Sequence, residues 1–252
     1  MVSITKDALI QQGKRNEYLV LDFVEKHKYS TVAILQQLLD VTYIGMHKII
    51  QRMVNKKLLQ DHIHYYNFTR IKIVGLTLAG LYQLADYRIE KLSEDATEDQ
   101  KNKAYYVNES RIFYPSQFVG SRMMHKVAIQ QIHLMIKKRL IDEVNQFQPK
   151  SIIVPKPQVK KTASGVKKVK LPDLIIGTVK QGNIAIEVET SMKSKKRYDA
   201  IMKLYKLKID QREYGHIIYF IPEPMTALQR NVLDAAHDNG LRKHLTVIAV
   251  SF

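Results

Sequence analysis

Along this chain the spacing of apolar positions changes several times, and each change predicts an element. In residues 16–28, Leu19, Leu21 and Val24 fall on one side of a helix; a second helix ends at Leu39, with Ser30 able to cap it by accepting an exposed backbone amide. A third runs from Tyr43 to Lys57. Ile44, Met46, Ile49, Ile50 and Met53 form its packing side, and His47, Lys48, Gln51, Arg52 and Lys56 its polar or cationic side. Short strands are expected around residues 59–63 and 70–73, followed by a helix entry in Gly75-Leu-Thr-Leu-Ala-Gly80-Leu-Tyr82. Farther on, residues 119–139 form a helix with a broad stripe of Val127, Ile129, Ile132, Leu134, Met135 and Ile136. Residues 151–154 read as a short strand stopped by Pro155 and Pro157. Alternation in the segment 184–190 predicts a further strand, with helix 194–210, strand 217–221, helix 225–237 and strand 245–250 after it. That order favours an α/β domain with a mixed sheet flanked by helices, and a multidomain α+β chain as a whole.

The most polar stretch, Ser93 to Ala104, divides the two patterns. We therefore expect an N-terminal domain over 1–92, a linker or exposed connecting segment over 93–118, and a second domain over 119–252. Tyr105, Tyr106, Phe113 and Tyr114 in the connection would pack on the second domain, or stack on bases if exposed.

Composition adds a partner class. A formal charge of +16 on 252 residues implies attraction to polyanions, without distinguishing DNA, RNA or an anionic membrane. At 45% hydrophobic content the chain supports one or two cores. No apolar run suits a bilayer crossing and the start lacks a secretory pattern, so no membrane insertion is expected and cytoplasm is the default. The absence of cysteine excludes disulfides and thiolate zinc sites. No phosphate-cradling glycine loop of the ATPase kind is present.

Candidate chemistry concentrates in the second half. Asp173 follows Pro172, and the turn Gln181-Gly-Asn183 lets its strand pair with the strand 184–190. Alternation turns Ile186 and Val188 to one face and Glu187 and Glu189 to the other, so two carboxylates share an open face beside Asp173. Such oxygen donors suit Mg²⁺ or Mn²⁺. Equally, glutamates on a strand of a basic protein can simply face solvent or pair with lysines. His125 is a candidate metal ligand or proton carrier, although a histidine beside an apolar stripe more often serves only a hydrogen bond. Lys160, Lys161, Lys167, Lys168 and Lys170 lie in an acid-free stretch expected to reach a phosphate backbone as a loop or hairpin, and Lys195, Lys196 and Arg197 add a second basic run. Tyr198 and Tyr205, seven apart on one helical face, are candidate nucleophiles only if they do not pack.

The three N-terminal helices with the strands after them resemble a winged helix-turn-helix, whose third helix (His47, Lys48, Gln51, Arg52, Lys56) would read DNA. Leu171-Pro-Asp173, Glu187, Glu189 and the trailing Lys193-Ser-Lys-Lys-Arg-Tyr198 resemble the core of the PD-(D/E)XK nuclease superfamily. Within it, the chain resembles the replication-relaxation and plasmid mobilisation relaxase group, which joins a winged helix to such a core. The resemblance implies metal-dependent nicking or cleavage of DNA, at a double-stranded plasmid or mobile-element site. Homodimers or plasmid-processing partner proteins are further expectations. The catalytic set it implies is Asp173, Glu187, Glu189 and Lys193, with Lys195 as second choice of lysine, and His125 or Gln130 could occupy the surface where the family's first helix places a glutamate. Two departures stand out. Glu189 occupies the usual lysine position, and no acid lies between Val119 and Leu140, where a helix glutamate is common. Both favour the alternative of a non-catalytic DNA-binding factor for plasmid replication, mobilisation or transcription. An RNA-binding or protein-assembly module is the third reading.

Overall fold

A computed structural model describes residues 5–156, 158–162, 165–168, 170–179 and 182–251, with the backbone alone over 159–168. The chain parts into two compact units between Met123 and Met124, each of mixed helix and strand.

The first unit holds α1 (Lys6–His27), β1 (Tyr29–Thr31), α2 (Val32–Leu39), α3 (Tyr43–Asn55), β2 (Leu59–Tyr66), β3 (Thr69–Leu76), α4 (Leu78–Ile89) and α5 (Glu98–Tyr105). Threonines start the helices: Thr31, Thr42 and Thr77 each accept from the backbone amide three residues on. Ser30 is thus not the cap of α2. Residues 29–31 pair with β3 as a third strand, which buries Ser30 and moves the cap to Thr31. The sheet order is β1-β3-β2, all antiparallel, and α1 packs on α2, α4 and β3. Val20, Leu21, Val24, Leu35, Met46 and Ile50 are buried. Ile44, assigned above to packing, is instead 68% exposed on α3.

The segment expected as a linker belongs to this unit. Phe113 N donates to Leu76 O at 2.9 Å, and Gln60 Nε2 donates to Phe113 O. A Cβ on Gly75 would lie 2.1 Å from Phe113 Cβ, so only glycine admits the crossing chain there. Phe118 then packs edge-on or tilted against the rings of Tyr29, His62 and His64. The polar stretch 93–104 reads as linker by composition, whereas Phe113 and Phe118 after it anchor the segment to this unit.

The second unit holds α6 (Met123–Lys137), α7 (Asp142–Asn145), β4 (Pro149–Ile153), β5 (Val159–Thr162), β6 (Gly165–Lys168), β7 (Leu174–Thr178), β8 (Asn183–Val188), α8 (Lys195–Asp210), β9 (Tyr214–Pro222), α9 (Thr226–Asp238) and β10 (Leu245–Val250). Five strands form one mixed sheet in the order β10-β9-β8-β7-β4. β8, β9 and β10 run parallel, whereas β7 and β4 are antiparallel additions. Ile184, Ile186 and Val188 join Ala128, Ile129, Ile132 and Ile136 of α6 in one core layer. Ala185, on the other face of β8, joins Tyr198, Met202 and Tyr205 of α8 and Leu228 and Val232 of α9 in a second. The sheet is therefore covered on both sides, as parallel strands require. Strands β5 and β6 form a separate antiparallel hairpin, pairing Lys160 with Lys167 and Val159 with Lys168.

Candidate functional site

The site begins where β7 and β8 start to diverge. Pairing of Leu174 with Ile186 brings the segment before β7 alongside the end of β8. Asp173 continues the ladder: its backbone amide donates to Ile186 O at 2.9 Å, and its Oδ2 accepts from Val188 N at 2.8 Å. Its Oδ1 faces His125 Nε2 of α6 at 3.4 Å, and His125 Nδ1 lies 3.5 Å from Thr190 Oγ1. Backbone donation to the carboxylate fixes its rotamer and leaves one oxygen for other partners.

Glu187 and Glu189 share the α8 side of β8, as alternation demands, but that side is not open: they are only 7% and 4% exposed. Tyr205 of α8 donates to Glu187 Oε1, and Lys170 Nζ sits 2.7 Å from Oε1 and 2.8 Å from Oε2. Glu189 is ion-paired to Lys193, whose backbone amide donates to Tyr198 OH at 3.2 Å. Burial first, and then the nearby charge of Asp173, push the Glu187 carboxyl above the usual range, while Lys170 opposes the shift. Burial also lowers the Lys193 ammonium, with the charge of Glu187 acting the other way.

These groups border a cleft of about 450 Å³ lined by His125, Lys170, Asp173, Glu187, Val188, Lys193 and Arg197, with Ala200, Ile201 and Leu204 of α8 as its apolar part. The residue pattern thus brings His125, Asp173, Glu187 and Lys193 together. Glu189 is not among the lining residues, and Lys195 and Lys196 are exposed on α8 outside it. Gln130, which α6 could have offered to the site, is buried and does not line the cleft. Sequence reasoning missed Lys170 and Arg197 as cleft residues, having assigned both to a general phosphate-binding surface. For Lys170 the available signal was its place three residues before Asp173, on a segment that antiparallel pairing must carry past Glu187.

The expected three-acid metal set is corrected by this geometry. Among the described residues no three His, Asp or Glu side chains are gathered closely enough to hold a metal ion. Both glutamates are ion-paired to lysines, but only Glu187 lines the cleft, leaving it and Asp173 as the two cleft carboxylates. A two-carboxylate donor set still fits Mg²⁺, which keeps several waters and commonly combines one or two carboxylates with substrate phosphates. Asp173 and Glu187 would hold it. Neither tyrosine suits a nucleophile's role. Tyr198 and Tyr205 are buried in the α8 layer, and burial, joined at Tyr205 by the charge of Glu187, raises both phenols above their ordinary value.

In the first unit the residues expected to touch nucleic acid separate into two groups. His47, Lys48 and Gln51 line an open groove on α3 with Tyr43 and Ile44. Arg52 and Lys56 turn instead to Glu17, a buried carboxylate of α1, at 3.2 and 2.9 Å, where Tyr87 OH also donates at 3.2 Å. The side chains of Lys160, Lys161, Lys167 and Lys168 lie outside the described residues, although their backbone forms the expected hairpin.

No protein-family model matches this chain, and no curated protein is significantly similar to it. No helix among the described residues is long and apolar enough to cross a membrane.

Proposed function

We propose that this chain binds DNA and cuts or nicks its phosphodiester backbone in a divalent-metal-dependent reaction. The first unit is read as a winged helix that engages the duplex, and the second as a PD-(D/E)XK-like nuclease domain. The observation that carries the reading is Glu187, a buried carboxylate kept beside Asp173 at the wall of a cleft that also carries Lys170, Lys193 and Arg197. Burying a second acid next to the first opposes folding, so its presence at a cleft is better explained by chemistry than by packing.

In this reading Asp173 and Glu187 hold Mg²⁺ or Mn²⁺, which when bound polarises a phosphoryl oxygen and acidifies a water. The chain's own residues do the rest. Lys193 and Arg197 neutralise the phosphate that enters the cleft, and stabilise charge that develops on its oxygens. His125, oriented by Asp173 and Thr190, takes or gives a proton at Nε2. Val188 N keeps the Asp173 carboxylate pointed at the opening.

A second reading, a DNA-binding factor that keeps this domain as a scaffold, is favoured by one specific observation: lysines already neutralise both glutamates. A supercoiled plasmid carrying the protein's neighbouring DNA, incubated with Mg²⁺, Mn²⁺ or EDTA, separates the two. The nuclease reading expects nicking that EDTA stops and that Asp173→Asn and Glu187→Gln each reduce at least about a hundredfold while DNA binding persists. Binding without nicking under every metal condition supports the scaffold reading instead. Equal nicking by wild type and both variants removes this cleft as the centre.

A further inference from the structure

The hairpin of β2 and β3 ends in a feature that its fold does not explain. The strands pair without a break as far as Tyr66 and Thr69, leaving Asn67 and Phe68 as a two-residue turn. Both have left-handed backbones, with φ of 46° and 63°. That turn demands positive φ at both positions, which asparagine tolerates and glycine prefers at the second. Phenylalanine there is strained. No packing repays the strain, because Phe68 is 104% exposed, as free as in an isolated peptide. Tyr65 is 68% exposed beside it, and Arg70, also exposed, is the direct cross-strand partner of Tyr65. No acid occurs between His62 and Arg70.

A strained, unsupported ring at an exposed hairpin tip points to a ligand. We propose that the tip is a base-stacking element: Phe68, flanked by Tyr65 and Arg70, stacks on unpaired nucleobases of single-stranded or locally opened DNA. The inference rests on the nucleic-acid part of the function proposed above, and not on the cleft. Aromatic faces and a guanidinium match the two surfaces of a nucleotide, base and phosphate. A protein partner fits less well. Tyr65 and Tyr66 are neighbours on one strand and so project to opposite faces, giving a narrow ribbon with rings on both sides and no broad patch. The absence of acid near the tip suits a polyanion.

The chain has no tryptophan, so Phe68→Trp installs a single reporter. Its emission is followed while end-labelled oligonucleotides, single-stranded or duplex, are titrated and binding is read independently by anisotropy. Stacking predicts strong quenching and loss of acrylamide accessibility with single strands. Phe68→Ala should weaken single-strand affinity on the order of tenfold and leave fully paired duplex affinity little changed. Phe68→Gly should do the same while folding at least as stably as wild type, since it relieves the backbone, so lost binding cannot be laid to misfolding. Binding by anisotropy with unchanged tryptophan emission overturns the stacking role and leaves DNA binding intact. A blue shift with anionic phosphatidylserine vesicles and no response to DNA overturns it in favour of a membrane. No binding to any oligonucleotide removes both readings.

Discussion

Glu187 is the residue at which stability and chemistry pull apart. Its carboxyl is buried, held up by desolvation and by Asp173, and compensated by Lys170, whose side chain is itself 39% exposed. Removing one partner of a buried ion pair is costly when the other charge stays buried, but Lys170 is part-exposed and can return to water, so the relief of an unfavourably buried carboxylate dominates. Glu187→Gln keeps an oxygen for Tyr205 and frees Lys170 to water, so it should raise unfolding free energy by about 1–2 kcal/mol at pH 7. Urea denaturation checks this, and a destabilised variant would mark Glu187 as a structural anchor. His216 supplies the pH test. Burial, with His244 contributing, lowers its pKa below 6.5, and its Nε2 lies 2.9 Å from Thr246 Oγ1. The folded state then binds fewer protons than the unfolded one in the window between that lowered pKa and 6.5. Its share of stability is full above about pH 6.5 and falls as pH drops through the folded pKa. His216→Gln should therefore lose less stability than wild type between pH 7.5 and pH 5, a comparison of denaturation midpoints that an equal loss would contradict.

At the scale of elements, α3 carries two kinds of cation. Arg52 and Lys56 satisfy the buried Glu17, whereas Lys48 and Gln51 face the open groove. Arg52→Ala should cost about 1 kcal/mol of stability with a modest change in DNA affinity; Lys48→Ala should leave stability unchanged and weaken binding. Paired urea and anisotropy measurements check both, and the opposite pattern would mean that α3 is turned the other way. Sequence periodicity identified α8 and β10 nearly to the residue, because α8 buries one apolar face and β10 is an apolar run whose residues pack into both core layers. It also identified the order Asp173, Glu187, Glu189 and the side of β8 that both glutamates share. It did not identify β1, since three residues carry no period, nor Ser30 as a strand residue. Nor could it show that α8 closes over the glutamates. An alternating strand gives the face a side chain takes, but what covers that face is set by packing from elsewhere in the chain. Phe113, expected to pack on the second domain or stack on bases, instead anchors the connecting segment on the first unit's sheet, and Phe118 near it escaped the sequence reading, because which sheet an aromatic packs on is set by partners elsewhere in the chain.

Over the whole molecule the charge is lopsided. Residues 124–252 carry 23 Lys and Arg against 11 Asp and Glu, and residues 1–123 carry 17 against 13. The unit expected to read DNA is thus the less basic one, and long-range attraction belongs mainly to the unit that holds the cleft. The β5–β6 hairpin concentrates this. Its backbone register sets Lys160 opposite Lys167 in a two-stranded element that is marginal by itself. Each phosphate contact lowers the slope of log affinity against log salt by about 0.9, so changing Lys160, Lys161, Lys167 and Lys168 together to Gln should make the slope shallower by up to about 3.6. Lys48→Gln should change it by about 0.9 at most. Duplex titrations from 50 to 300 mM salt, about the range in which such slopes are resolved, measure both. A slope unmoved by the fourfold change, with affinity retained, would remove the hairpin from the DNA path and shift the binding surface to α3 and the cleft rim.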